Sequence, residues 1–179
     1  MMSVMAAPPQ SAVSTWQADR DAAFHLAVRD ESRRLFAVAF AILRDPAEAE
    51  DAVQETMMKA WSAWHQLRDT ERRRPWLTRI CVNHCIGRKR LRLSRWLLPG
   101  SDAVERGSPT QDDFVCQDLD LDRAYQRLSV QQRAVVVLHY HHGYPLDECA
   151  DLMGCRPGTV RSHLNRALTT LRREVGADA

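Results

Sequence analysis

Three groups of residues carry the side chains that could do chemistry in this 179-residue chain. Cys81-Val-Asn-His84-Cys85 is the first, and His139, His141 and His142 with Cys149 and Cys155 are the second; thiolates and imidazoles so clustered are ligands for zinc. The third is Arg156, Gly158, Thr159, Arg161, Ser162, Asn165 and Arg166, with no acidic residue before Glu174. Arginine bridges guanine bidentately and asparagine does so for adenine, while hydroxyls and helix-start amides suit phosphates. No carboxylate pair, nucleophile with its base, or glycine-rich phosphate loop occurs at a useful spacing, so an enzyme is not expected.

The metal readings carry less weight than the DNA reading. Cys81 and Cys85 sit at i, i+4 in a helical pattern with Ile80 and Ile86, where small buried cysteines are common. The histidine cluster falls at a helix end and has no Cys-x-x-Cys pair beside it. We therefore expect no metal and no cofactor. For the third group a solvated helix face is the alternative, set aside because a glycine turn and a proline helix start precede it.

Helices must position these groups. Residues 1–15, with Pro8-Pro9 and no periodicity, read as a disordered tail. Apolar residues at Phe24, Val28, Leu35, Ala39 and Ile42, widened by Phe36 and Phe40, predict a helix stopped by Arg44-Asp45-Pro46. Asp45 suits an N-cap and Pro46 the first position of a second helix. There Ala49, Ala52, Val53, Thr56, Met57, Ala60, Trp61 and Trp64 form the apolar stripe, and we assign Val53 and Trp61 to the core. Pro75-Trp76-Leu77 opens a third helix running to about Trp96, with Leu77, Ile80, Cys81, His84 and Leu91 on one side and Arg79, Asn83 and Arg90 elsewhere.

The second half resumes at Leu119, Leu121, Ala124 and Leu128, and Ser129 caps a helix crowded with Val135 to Leu138 that His142-Gly143-Tyr144-Pro145 breaks. Leu146 to Leu152, Gly154 and a helix opening at Pro157 reproduce the helix-turn-helix plan, Ala150 allowing close approach. Val160, Leu164, Ala167, Leu168 and Leu171 form the buried stripe opposite the third group. The fold class is all-α.

Net charge is only +2, but it is unevenly spread: −3 over residues 1–64, +8 over 65–95, −6 over 96–122, 0 over 123–154 and +3 over 155–179. Residues 99–117, polar and acidic with Gly107 and Pro109, read as a linker between two small helical domains at 16–98 and 118–179. No apolar run approaches the roughly 18 residues of a membrane span, and residues 1–15 do not look like a secretory signal. With five cysteines, an odd number without a paired framework, the expected location is the cytoplasm.

Asp-Ala-Val-Gln-Glu-Thr (51–56) followed by Lys-Ala-Trp (59–61), then Trp-Leu-x-Arg-Ile-x-x-Asn (76–83), then Gly-Cys-Arg-Pro-Gly-Thr-Val-Arg-Ser-His-Leu-x-Arg-Ala (154–167) resemble the region 2.2, 2.4 and 4.2 motifs of extracytoplasmic-function sigma factors. All three occur in order across an acidic linker. The resemblance implies a transcription initiation factor that binds bacterial core RNA polymerase, through the β′ clamp helices and the β flap, and directs it to promoter DNA. It implies polymerase docking by Asp51, Gln54, Glu55 and Met58, and −10 recognition and melting by Leu67, Arg73, Arg79, Asn83, Arg88, Lys89 and Arg90. The polar segment from His65 to Arg73 corresponds to the element that captures an unstacked −10 base, with Arg92 adding a phosphate contact and Trp76 assigned to core.

The −35 element falls to Arg156, Gly158, Thr159, Arg161, Ser162, Asn165 and Arg166, with Arg156 standing where the family often has a serine cap. Arg72-Arg73-Arg74-Pro75 replaces the small and aromatic residues common before this tryptophan. The acidic linker would run toward the RNA exit channel, or serve only as a solubilising tether. An anti-sigma factor is a further expected partner. The alternative is a helix-turn-helix regulator binding duplex DNA independently of polymerase, with an enzyme built on a Cys/His metal centre as a third reading.

Overall fold

The computed structural model describes residues 10–67, 69–96 and 119–175. Seven α-helices account for most of them: α1 (Gln10–Leu43), α2 (Pro46–Ala63), α3 (Arg73–Trp96), α4 (Leu119–Gln126), α5 (Val130–Val136), α6 (Leu146–Met153) and α7 (Pro157–Val175). Short 3-10 turns at Trp64–Gln66 and Thr70–Arg72 join α2 to α3, and no strand occurs among the described residues. The expected linker 99–117 lies outside them.

The helix ends follow local chemistry. Asp45 caps α2 by accepting from the Glu48 amide at 2.9 Å, with Pro46 in the first turn. Ser129 and Gln132 form a reciprocal capping box on α5. Arg44 ends α1 in the left-handed region (φ 61°), a conformation that costs a non-glycine residue roughly 1–2 kcal/mol. Its guanidinium pairs with Asp122 and lies over the rings of Phe40 and Tyr125, which offsets that cost.

Four expectations change. α1 begins at Gln10 rather than near Trp16, so residues 10–15 of the expected tail are helical; after Pro9 nothing in Gln-Ser-Ala-Val-Ser breaks a helix. α3 starts at Arg73, two residues before Pro75, because a proline in the first turn removes no intrahelical bond. Trp61 is not core: it is 41% exposed, its ring tilted at 59° against Phe24 with the Arg20 guanidinium 5.5 Å from its centroid. The stripe of α2 is wide enough to overrun the groove it faces, and Ala49, Ala52, Thr56 and Ala60 take the buried positions. Finally, α5 continues into a π-helical turn at Val137–His141, which adds burial for Val137 and Leu138 before the Gly143 break.

The two halves do not stand apart. One buried cluster runs from Leu35, Ile42, Leu77 and Val82 in the first half to Val135, Leu138, Leu152 and Val160 in the second. α3 packs on α6 and α1 on α5. Arg133 of α5 is buried with no carboxylate paired to it among the described residues; its Nε donates to the Ile42 carbonyl at 2.6 Å, where the C-terminal end of α1 presents partial negative charge. Burial lowers the Arg133 pKa from its ordinary value.

Candidate nucleic-acid interface

The helix-turn-helix face is built on one helix and the turn before it. α6 ends at Gly154, whose φ of 62° is the left-handed cap that glycine adopts without strain. The Cys155 amide returns to the Ala150 carbonyl at 3.0 Å, and the Thr159 and Val160 amides bond the Arg156 carbonyl as α7 begins. Val160, Leu164 and Ala167 are buried. Arg156, Gly158, Thr159, Arg161, Ser162, Asn165 and Arg166 are all exposed, so the structure brings the whole expected −35 set onto one open face. Ser162 Oγ donates to the Gly158 carbonyl at 2.9 Å, leaving its oxygen free to accept. Arg161 pairs with Asp147 at 3.3 Å; both are exposed, and such a pair is worth at most about 1 kcal/mol.

The second surface is assembled from two helices. A cleft of ≈ 730 Å³ between α2 and α3 is lined by Glu55, Lys59, Trp76, Arg79, Ile80, Asn83, His84, Gly87 and Arg88. It gathers three of the expected −10 residues, Arg79, Asn83 and Arg88. It leaves out Leu67, half-buried against the core, and Arg73, whose Nη2 faces Glu31 at 3.9 Å. Lys89 and Arg90 continue α3, with side chains outside the described residues.

Several cleft residues were not expected. Trp76, taken as core, is half-buried: one side packs on Trp64 (centroids 6.1 Å apart) and it also lines the cleft. Ile80 and His84, expected on the apolar side of α3, line the cleft as well. Lys59 Nζ lies 3.4 Å from His84 Nδ1, and since an ammonium only donates, the imidazole accepts at Nδ1 and carries its proton on Nε2. That Nε2 is buried and makes no hydrogen bond among the described residues. Burial first, then the Lys59 charge, lower the His84 pKa. The cleft combines cations and an indole face with the Glu55 carboxylate.

The set expected to face polymerase divides. Asp51, Gln54 and Met58 are exposed on α2, Met58 at 65%, while Glu55 turns into the cleft. Asp51 accepts from Arg88 Nη2 at 3.0 Å, so a residue expected to meet polymerase holds one expected to meet DNA. Asn83 is shared too: its Nδ2 donates to the Leu152 carbonyl at 3.1 Å, and a Cβ on Gly154 would stand 3.2 Å from its Oδ1.

Among the described residues no three His, Cys, Asp or Glu side chains come together as a metal site. The Cys85 thiol is pushed far above its ordinary pKa by its hydrogen bond with Cys81 and by burial, and burial with the Glu148 charge lifts Cys149 to about 11. Both stay protonated at neutral pH, the form that neither attacks nor ligates. No helix of the described residues is long and apolar enough to cross a membrane.

An open helix-turn-helix face together with a cationic cleft edged by an indole has the chemistry of a DNA-binding protein. Known proteins agree. Residues 27–95 match Sigma-70 region 2 and residues 118–171 match Sigma-70 region 4. The ECF RNA polymerase sigma factor SigL of Mycobacterium tuberculosis is 32% identical over 157 residues, covering 85% of this chain and 89% of its own. SigM of the same species is 32% identical over 154 residues, 86% of this chain and 78% of its own. The solved structure of the sigma factor RpoE of Bartonella quintana with the anti-sigma factor NepR superposes with a TM-score of 0.68 at 26% identity, over 90% of this chain and 99% of that one. The chain belongs to the extracytoplasmic-function sigma factors of the sigma-70 family. It is an alternative sigma factor that directs RNA polymerase to promoters, with core polymerase and promoter DNA as partners.

Proposed function

We propose that the two surfaces divide promoter recognition between them, α7 reading the −35 duplex and the α2/α3 cleft receiving the unstacked −10 strand. The observation that carries this is the cleft itself. Arg79, Lys59 and Arg88 supply phosphate-binding charge, Trp76 an aromatic face, and Asn83 a polar group for base edges. Pulling a base from the stack costs a few kcal/mol, which such contacts must recover.

Asp51, Gln54 and Met58 form the ridge that meets the β′ clamp helices, within about 60° of arc on α2 at 100° per residue, and region 4 meets the β flap. Region 2 occupies 16–98 and region 4 occupies 118–179, with 99–117 between them. The protein acts in the cytoplasm, where the transcription machinery is, and does no chemistry of its own. The NepR complex supports an anti-sigma factor as a further partner.

The test is run-off transcription with purified core polymerase. The chain should support initiation, Asn165→Ala should lose dependence on the −35 sequence, and Arg79→Ala should lose open-complex formation while retaining core binding. Initiation that survives both substitutions unchanged would overturn the division.

A further inference from the structure

Glu31 lies in the middle of α1, wholly buried, and faces three guanidinium groups. Its Oε2 accepts from Arg34 Nε at 2.7 Å, its Oε1 accepts from Arg74 Nε at 2.9 Å, and Arg73 Nη2 stands 3.9 Å from Oε1. Arg34 extends the connection: Nη1 donates to Thr78 Oγ1 at 3.0 Å and Nη2 to the Arg74 carbonyl at 3.4 Å. Thr78 Oγ1 donates to that same carbonyl at 2.8 Å. One carboxylate thus ties the first turn of α3 to α1 across 43 residues of sequence.

Burial alone would raise the pKa of Glu31, but hydrogen bonds from Arg34 and Arg74, with their charges, outweigh it and hold the carboxyl below its ordinary value. Glu31 is ionised at neutral pH. A negative charge beside the first turn of α3 also has the sign that a helix N-terminus favours. This accounts for Arg72-Arg73-Arg74-Pro75, where the chain departs from its family's common pattern: an acid buried in α1 stands ready for two of the three arginines.

Capture of an unstacked base makes two demands on this corner. The segment before α3 must hold its shape while the DNA gives up stacking. Its arginines must also be kept from gripping any phosphate that passes, because phosphate contacts carry affinity but no sequence information. We propose that Glu31 is a positioning residue for −10 capture: its buried carboxylate fixes the first turn of α3 against α1 and keeps Arg73 and Arg74 committed to the protein, so that the adjoining 65–73 segment discriminates bases. This rests on the reading that the segment and the cleft meet the −10 strand.

The experiment uses holoenzyme reconstituted from the full chain and two forked promoter fragments, identical in the −35 duplex, with a native or a scrambled single-stranded −10 sequence. Glu31→Gln keeps the side-chain volume and removes the charge. It should reduce the native-to-scrambled affinity ratio about tenfold, the scale of one charge-assisted hydrogen bond. It should also steepen the log affinity against log salt plot by about 0.7 for each phosphate that a released guanidinium acquires. Glu31→Asp should recover part of the ratio. Arg74→Gln, at a side chain 69% exposed and so not needed to fill the core, should lower the ratio without steepening the slope.

A purely structural role predicts otherwise: Glu31→Gln would lose affinity for both fragments equally, together with thermal stability and with no steeper slope, and that result overturns the proposal. It is likewise overturned if Glu31→Gln and Arg74→Gln keep the wild-type ratio while Asn83→Ala lowers it, an outcome that leaves the cleft reading standing. If Asn83→Ala and Arg79→Ala also keep the ratio, the cleft reading itself fails and takes the proposal with it.

Discussion

The two surfaces proposed to meet DNA are made in different ways. Six of the seven residues expected to read the −35 duplex lie on α7 alone, Arg156 stands in the turn before it, and all seven are exposed. A local period places them, so the surface would persist wherever region 4 were carried. The cleft needs α2 and α3 to be packed together, and it borrows from elsewhere: Asp51 holds Arg88, and Asn83 is bonded to the carbonyl of Leu152 in the helix-turn-helix. A surface on one element tolerates change in its surroundings. A surface assembled between elements changes with the packing beneath it.

The largest expected effect tests that dependence. Leu138 is fully buried in the core shared by both halves, and Leu138→Ala should cost about 2–5 kcal/mol. Calorimetry should show one unfolding transition moving as a whole; two transitions, with region 2 unmoved, would break the claim that the cleft leans on region 4. Next, Asn165→Ala or Arg166→Ala should each cost about 1–3 kcal/mol in −35 discrimination. The thermal midpoint should hardly move, because both side chains are exposed; a midpoint that falls with binding would erase the contrast.

Asn83→Ala should do both things at once. It removes one hydrogen bond between the halves, worth about 1 kcal/mol, and weakens binding to a −10 single strand measured by fluorescence anisotropy. Loss of stability without loss of binding would assign Asn83 to packing alone.

The smallest effect concerns pH. Burial, with the nearby charges of His141 and Arg34, lowers His142 to about 4; burial with a neighbouring cation lowers His84 and His163 as well. The unfolded chain therefore binds more protons than the folded one below the ordinary histidine pKa, and stability falls as pH drops from 7 toward 4. Thermal midpoints measured across that range should decline, and the decline should shrink in His142→Gln. Arg34 belongs to region 2 and His142 to region 4, so the slope also reports that the halves are packed.

Much of this was legible in the sequence for a definite reason. Helices announce themselves through local period and end signals, and Asp45-Pro46, Ser129 with Gln132, and Gly154 with Pro157 mark their boundaries within a few residues of chain. The exposed face of α7 follows from its buried stripe by the same geometry. The cleft was half visible. Trp76, Arg79, Ile80, Asn83, His84, Gly87 and Arg88 recur at i, i+3, i+4 and so share a face of α3, yet Ile80 and His84 read equally well as an apolar stripe. Nothing local says which stripe meets core and which meets solvent.

The sequence by itself determined the helical class, most helix ends, the exposed face of α7 and the family. Tertiary structure alone decided that Trp61 is exposed, that Trp76 edges a cleft with Lys59 and His84, and that Glu31 partners arginines 42 and 43 residues later. It also decided that the halves share a core and that Arg133 and Asn83 bond from one half to the other. Periodicity acts over one helical turn of chain, whereas these pairings are set by which surfaces bury together, and that choice is made by the packing of the whole molecule.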